Sequence, residues 1–440
     1  MTRLILVADH VVVGDAAGTV LSPGVVTVED GIIVDVARVA GVRPRGAGVV
    51  DLGESVLMPG LVNAHAHAPM QLLRGVSEGY SLLTWEGWLG AIRSREEHLT
   101  PDLLPAATRV ACAEMIGSGT TSFADQYLFA EAYLPAIAES GLRASVAYGV
   151  VDLGDDERVA SSLAAAESFV AREQAHPLVR GWVGPHAFFV DNRFETVEAE
   201  LGIARRYGAG LHAHFATSTE EDDVCRERYG CSAIEQLRRM GVLEVPTILA
   251  HANELRLDDL PLLAGTAATV AVAPSVAMIS GASAPPVRAA LDAGVNVAIG
   301  TDNLCGNNNA DMFEEMRTLG KLAAFTEKTP NVITSRELIE MATWRGRRAM
   351  GGSIHDGRVE AGGIADLVAL PIGALHRGPV GAQSIHSAIV YGASGFDTTD
   401  VITAGRFLKR DGVLTTVDLD DQLTRRQHDF DTLAGRTGAA

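Results

Sequence analysis

The sequence predicts an α/β protein. A (β/α)8 barrel spans residues 58–351, a small β-sandwich domain is built from both chain ends (1–57 and 352–425), and a C-terminal tail covers 426–440. Three observations lead there. Eight short apolar runs recur between residues 61 and 299, with stretches of helical period between them. The regions on either side carry short strands and turns. Several of the apolar runs end in His or Asp.

The runs are Leu61–Ala64, Thr120–Ala124, Ala144–Val151, Arg180–Val183, Ala209–Ala213, Thr247–Ala250, Ala268–Val272 and Asn296–Ile299. They are near-continuously apolar, as parallel strands buried on both faces must be. PDLLPAATRVACAEMIGSG, SLAAAESFVAREQ, FETVEAELGIARRYG and CSAIEQLRRMG between them have helical spacing. RLILVADHVVV and GVVTVEDGIIVDVARV before the barrel, and GRVEAGGIADLVAL, HSAIVYGASG and DVITAGRFLKRDGVL after it, read as strands. The polar tail from about Asp418 reads as a helix that frays at its end.

Composition narrows the class. A chain of 440 residues with 47% hydrophobic content supports a large core. The formal net charge of -19, with no Lys/Arg cluster, argues against nucleic acid or an anionic membrane surface as partner. Cys112, Cys225, Cys231 and Cys305 are scattered, which suggests neither a disulfide framework nor a thiolate metal site. The opening MTRLILVADHVVV reads as a strand, and no run approaches the roughly 20 apolar residues of a membrane span. A cytoplasmic, soluble protein is expected.

The chemistry sits at the ends of the runs. His65 and His67 end the first, His214 the fifth, His251 the sixth and Asp302 the eighth. Barrel strands open their C-termini on one face, and that face holds the active site. His65 and His67 are two residues apart, so on a strand their side chains point the same way. With His214 and Asp302 they form a ligand set for one divalent ion, zinc first and iron second, with room for water. Asp302 and His251 are the expected proton-handling groups. A lone HxH pair is a weak signal, and the conjunction with three later strand ends is a strong one. His212 shares the strand face of His214 one layer deeper, and reads as a packed interior residue. The histidines at 10, 98, 176, 355, 376, 386 and 428 lie off the barrel mouth.

Taken in order, MPGLVNAHAHAPMQLLRG, GPHAFF, GLHAHF, LAHAN, APSVAMISGASAPP and GTDNLCGNNNADMFEEMR resemble the motifs of the amidohydrolase superfamily. The nearest branch is that of triazine and purine aminohydrolases and chlorohydrolases. HAHAPMQLLRG and NNNADMFEEMR look most like S-adenosylhomocysteine/methylthioadenosine deaminases. The resemblance covers nearly the whole chain. It implies one metal ion on His65, His67, His214 and Asp302, with His251 and Asp302 moving protons. It implies substrate contacts from His186, from Gln71 and Trp85 in the loop after strand one, and from Arg143 and Arg158 toward a substrate carboxylate. A small-molecule substrate and a homo-oligomer are further implications.

Two positions depart from the pattern. Deaminases of this branch read HxxE after strand five, where the Glu serves the ring nitrogen beside the attacked carbon. Here that position is Thr217, with Glu220 and Glu221 three and four residues later. A hydroxyl donates a hydrogen bond but is no acid at neutral pH. The family GTDG is GTDN, which brings Asn303 and Cys305 near the metal. The expected function is hydrolytic deamination of a purine-like heterocycle with release of ammonia. The alternative is another leaving group (chloride, an alkylamine or a ring amide), and the outsider is a non-catalytic binding homologue.

Overall fold

The computed structural model describes residues 3–82, 84–373, 379 and 385–437. Its centre is an eight-stranded sheet in chain order: β1 (Leu61–Ala66), β2 (Thr120–Tyr127), β3 (Arg143–Val150), β4 (Val179–Pro185), β5 (Leu211–Phe215), β6 (Thr247–His251), β7 (Ala268–Val272) and β8 (Asn296–Ile299). Neighbours pair in parallel throughout. The ends of the sheet meet where the Asp302 amide donates to the His65 carbonyl at 2.9 Å, beside a parallel bridge between Ala66 and Asp302. Gly300 permits that approach, because a Cβ there would stand 2.6 Å from the His65 nitrogen.

Strands β1, β2, β6, β7 and β8 are buried along their whole length. Helices such as Leu104–Gly117, Asp156–Glu173 and Phe194–Tyr207 cover them. The interior carries a few polar side chains, and their bonds tie strands together. Asn63 Nδ2 donates to Thr301 Oγ1 at 2.7 Å, and the Thr301 amide returns a bond to Asn63 Oδ1 at 3.0 Å. Gln126 Nε2 donates to the carbonyls of Pro185 and His212 at 2.7 and 2.8 Å. Five strands, β1, β2, β4, β5 and β8, are thereby tied together.

Both chain ends build the β-rich layer. Arg3–Ala8, Gly24–Glu29, Ile32–Arg38 and Val49–Asp51 form a four-stranded sheet. A seven-stranded sheet joins Ser55–Pro59 antiparallel to Leu367–Pro371, so that N-terminal and C-terminal strands share one ladder. Leu6, Val26, Leu57, Val359, Leu367 and Ile402 pack between the sheets.

One expectation needs correction. HSAIVYGASG is helical, with Ile385–Ser387 and Ala388–Gly392 in successive turns. Ile385, Ile389 and Val390 are buried together, an i, i+4, i+5 spacing that one helix face accommodates, whereas a strand would point the adjacent Ile389 and Val390 to opposite sides. The C-terminal segment is helical as expected: one helix, Leu419–Thr437, packs against Leu104–Gly117 and buries Leu433. Arg436 pins its end by donating to the His98 carbonyl and to Thr100 Oγ1.

Candidate metal centre

The strand ends deliver the expected cluster. One ligand atom each from His65, His67, His214 and Asp302 lies within 4.8 Å of all the others. Asp302 Oδ1 stands 3.1 Å from Nε2 of both His65 and His67, and His214 Nε2 stands 3.2 Å from His67 Nε2. His65 Nε2 and Asp302 Oδ1 are buried and make no hydrogen bond. Buried polar atoms without partners are rare and costly. Three imidazole nitrogens and a carboxylate oxygen converging on one point suit a divalent ion of borderline softness. The residues present therefore fit a metal.

The far side of each imidazole is occupied, which fixes which nitrogen faces the centre. His67 Nδ1 donates to the Gln126 carbonyl at 2.5 Å, and His214 Nδ1 to the His186 carbonyl at 2.8 Å. His65 Nδ1 lies 2.7 Å from His212 Nε2. His212 is thus more than interior packing: it orients a ligand. The signal was the second HxH, at 212 and 214. Asp302 Oδ2 accepts from Asn303 Nδ2 at 2.9 Å.

Burial, with the neighbouring histidines adding to it, holds His214 well below the usual imidazole range. Burial also lowers His65, and takes His251 down to about 3. All three are neutral imidazoles, the ligating form. His67 is raised: burial opposes this, but Asp302 and the Gln126 carbonyl outweigh it. Backbone strain gathers at the same place. Ala216, His251, Ala252 and Asp302 all have φ between 48° and 79°, which turns the chain sharply where β5, β6 and β8 end. Left-handed backbone at non-glycine residues costs about 1–3 kcal/mol each and clusters at functional sites.

A cavity of about 1000 Å³, counting its open mouth, rises from the cluster. His67, His214, His251 and Asp302 form its floor. Met70, Leu82, Trp88 and Ile92 give one apolar wall, and Tyr127, His186, Asp191, Thr217, Glu220 and Glu221 line another side. His251 is buried, its Nδ1 has no partner, and its ring stacks on that of His214 with centroids 5.4 Å apart. His186 leans edge-on to His214 and tilts toward Trp88, while its Nδ1 is bonded to Asp191 Oδ2. The charge of Asp191 outweighs burial and raises His186.

The other expected contacts divide. Thr217, His186 and Asn303 line the cavity. Gln71 is buried in the helical turn Ala68–Leu73 and is not among the lining residues. Trp85 opens the helical segment after β1, and its side chain lies outside the described residues. Arg143 is corrected: it is the first residue of β3, at the opposite end of the barrel, where it pairs with Asp366 at 2.9 Å and ties the barrel to the β-rich layer. Arg158 is exposed in the first turn of Asp156–Glu173 and is not among the residues that line the cavity. Cys305 is a buried thiol that burial pushes well above its usual range.

The chain matches the Amidohydrolase family over residues 56–408 and belongs to it. It is 34% identical to the 5-methylthioadenosine/S-adenosylhomocysteine deaminase of Moorella thermoacetica, over 96% of this chain and 99% of that one. It is 32% identical to the 5'-deoxyadenosine deaminase of Methanosarcina mazei over the full length of both. Among solved structures, an adenosine deaminase from Xanthomonas campestris with bound zinc superposes with a TM-score of 0.89 at 28% identity, covering 98% of each chain. The zinc complex of an atrazine chlorohydrolase from Arthrobacter aurescens superposes with a TM-score of 0.85 at 22% identity, over 97% of this chain and 100% of that one, and shares the fold. The protein is a metal-dependent amidohydrolase.

Proposed function

We propose that the enzyme is a zinc-dependent deaminase of adenosine-like nucleosides with an uncharged 5' substituent. The convergence of His65, His67, His214 and Asp302 on one point at the cavity floor carries this reading. The deaminases to which the chain is similar along its whole length supply the substrate class.

His65, His67, His214 and Asp302 would hold the ion, which when bound would supply the Lewis acidity that makes a water acidic enough to attack near neutral pH. Asp302 accepts the proton of the attacking water, with its other oxygen held by Asn303. His251 is neutral and has a free Nδ1, so it orients the attacking oxygen by a hydrogen bond. The amino-bearing carbon gains oxygen, the C–N bond breaks, and ammonia leaves with the proton stored on Asp302. Trp88 and His186, packed ring against ring, supply aromatic surface at the wall for a flat heterocycle.

The lining chooses between kinds of 5' substituent. Glu96, Asp191 and Glu220 line the cavity, and no Lys or Arg lines it among the described residues. A substrate carboxylate finds no partner there and meets like charge. The expected order of kcat/KM is therefore methylthioadenosine and 5'-deoxyadenosine above S-adenosylhomocysteine. Ammonia release over these nucleosides, with chloro- and alkylamino-triazines as competitors, tests the reading. No ammonia from any nucleoside, with chloride or amine released from a triazine, would sink it.

A further inference from the structure

Thr217 leaves a gap in the chemistry. A purine ring nitrogen gains a proton as the neighbouring carbon is attacked, and the residue three beyond His214 has none to give at neutral pH. The cavity wall holds another candidate. Glu221 lies in the first turn of Glu220–Tyr229, the helix that follows β5, and it lines the same cavity as Thr217, His214 and His186. It is 2% exposed, and its Oε2 is buried with no hydrogen-bond partner. A buried carboxyl oxygen at the wall of a substrate cavity, without a protein partner, is placed for a ligand.

We propose that Glu221 is the acid that serves the substrate ring nitrogen, replacing the carboxyl absent at position 217. The inference rests on the deaminase reading. Burial pushes the carboxyl up to about 8, Glu220 and Asp191 push the same way, and the backbone amides of Glu221 and Ala216 oppose them. The charged groups that act on it are Glu220 on its own helix and Asp191 beyond β4, and it shares the cavity lining with His186, His214 and Thr217. It is therefore a neutral acid at pH 7, able to donate.

The protons balance. As the C–O bond forms, the electron pair of the ring C=N bond takes the Glu221 proton and becomes an N–H bond. The first proton of the attacking water goes to Asp302 and leaves on ammonia when the C–N bond breaks. The second passes from the collapsing adduct to solvent, and solvent returns one to Glu221. The product is the ring lactam with its nitrogen protonated.

The first measurement is ammonia release by the wild-type enzyme, which decides the deaminase reading on its own. On the nucleoside it turns over fastest, Glu221→Gln should lower kcat by about 10²–10⁴-fold, with KM and metal content little changed. Adding Thr217→Glu to that variant should restore at least about tenfold, because it returns a carboxyl to the motif position. A structural role for Glu221 predicts no such rescue. The wild-type enzyme gives an independent readout through a 1-deaza analogue, in which CH replaces the ring nitrogen. It should bind roughly tenfold more weakly than the nitrogen-bearing parent. Equal affinity for the two, or a Glu221→Gln enzyme with wild-type kcat, would overturn the proposal while leaving the deaminase reading intact.

Discussion

The floor of the cavity and its wall are built by different rules. Each ligand on the floor stands at or just past the end of a strand, and its outer face is held by a carbonyl, by another histidine or by an amide side chain. The wall is drawn from loops and helix starts: Trp88 after β1, His186 and Asp191 after β4, Glu220 and Glu221 after β5. Floor atoms lack partners because a metal is to sit among them. Wall atoms such as Glu221 Oε2 lack partners because a substrate is. The floor thus defines the reaction class, and the wall defines what enters and how its ring is protonated.

The sharpest break of this contrast is at Asp302, the residue that belongs to both the ligand set and the proton path. Asp302→Asn should cost about 10⁴-fold in kcat, with weakened metal retention in the purified protein. His212 tests whether the support beneath the floor matters. His212→Phe removes the partner of His65 Nδ1 and should weaken metal affinity by about 10–100-fold, read by competition with a chelator. Arg143 sharpens the contrast from the other side. Arg143→Ala breaks a largely buried pair with Asp366 and should cost about 3 kcal/mol in chemical denaturation. Its kcat/KM should stay at the wild-type value for carboxylate-bearing and uncharged substrates alike, because it lies at the far end of the barrel.

A further test is thermodynamic and concerns the wall. Glu221 keeps its proton in the folded state up to about 8, against an ordinary value of 4.5. Between those values the folded protein binds a proton that the unfolded chain has lost, so rising pH weakens folding through this window. Gln does not titrate. The stability of Glu221→Gln relative to wild type should therefore grow from pH 5 to pH 8, by about 1.4 kcal/mol per pH unit at most, and then level off. A constant difference across that range would show that the carboxyl is not held protonated.

The legibility of the sequence follows the same division. Buried parallel strands advertise themselves as apolar runs, so all eight were found, with ends misplaced by up to a few residues where polar side chains such as Asp125 and Gln126 continue β2. The ligands were legible because strand C-termini share a face by topology alone. Wall residues come from segments whose direction depends on tertiary packing. Motif position points Arg143 and Arg158 at the substrate, whereas the fold puts the first at the N-terminal end of its strand and leaves the second exposed. Glu221 falls four residues past Thr217, and the positive φ of Ala216 is part of the turn that carries the chain from β5 to that helix. His212 was visible as half of an HxH pair, but its bond to His65 crosses between strands far apart in sequence and leaves no local trace.

The central claim is that a metal on the cavity floor drives loss of ammonia from an adenosine-like ring. The most direct measurement is ammonia release from methylthioadenosine by chelator-stripped protein, titrated with Zn²⁺. The account predicts negligible release from the stripped protein and recovery that saturates near one ion per chain, with no recovery for Asp302→Asn. Full activity after stripping, or equal recovery in Asp302→Asn, would contradict it.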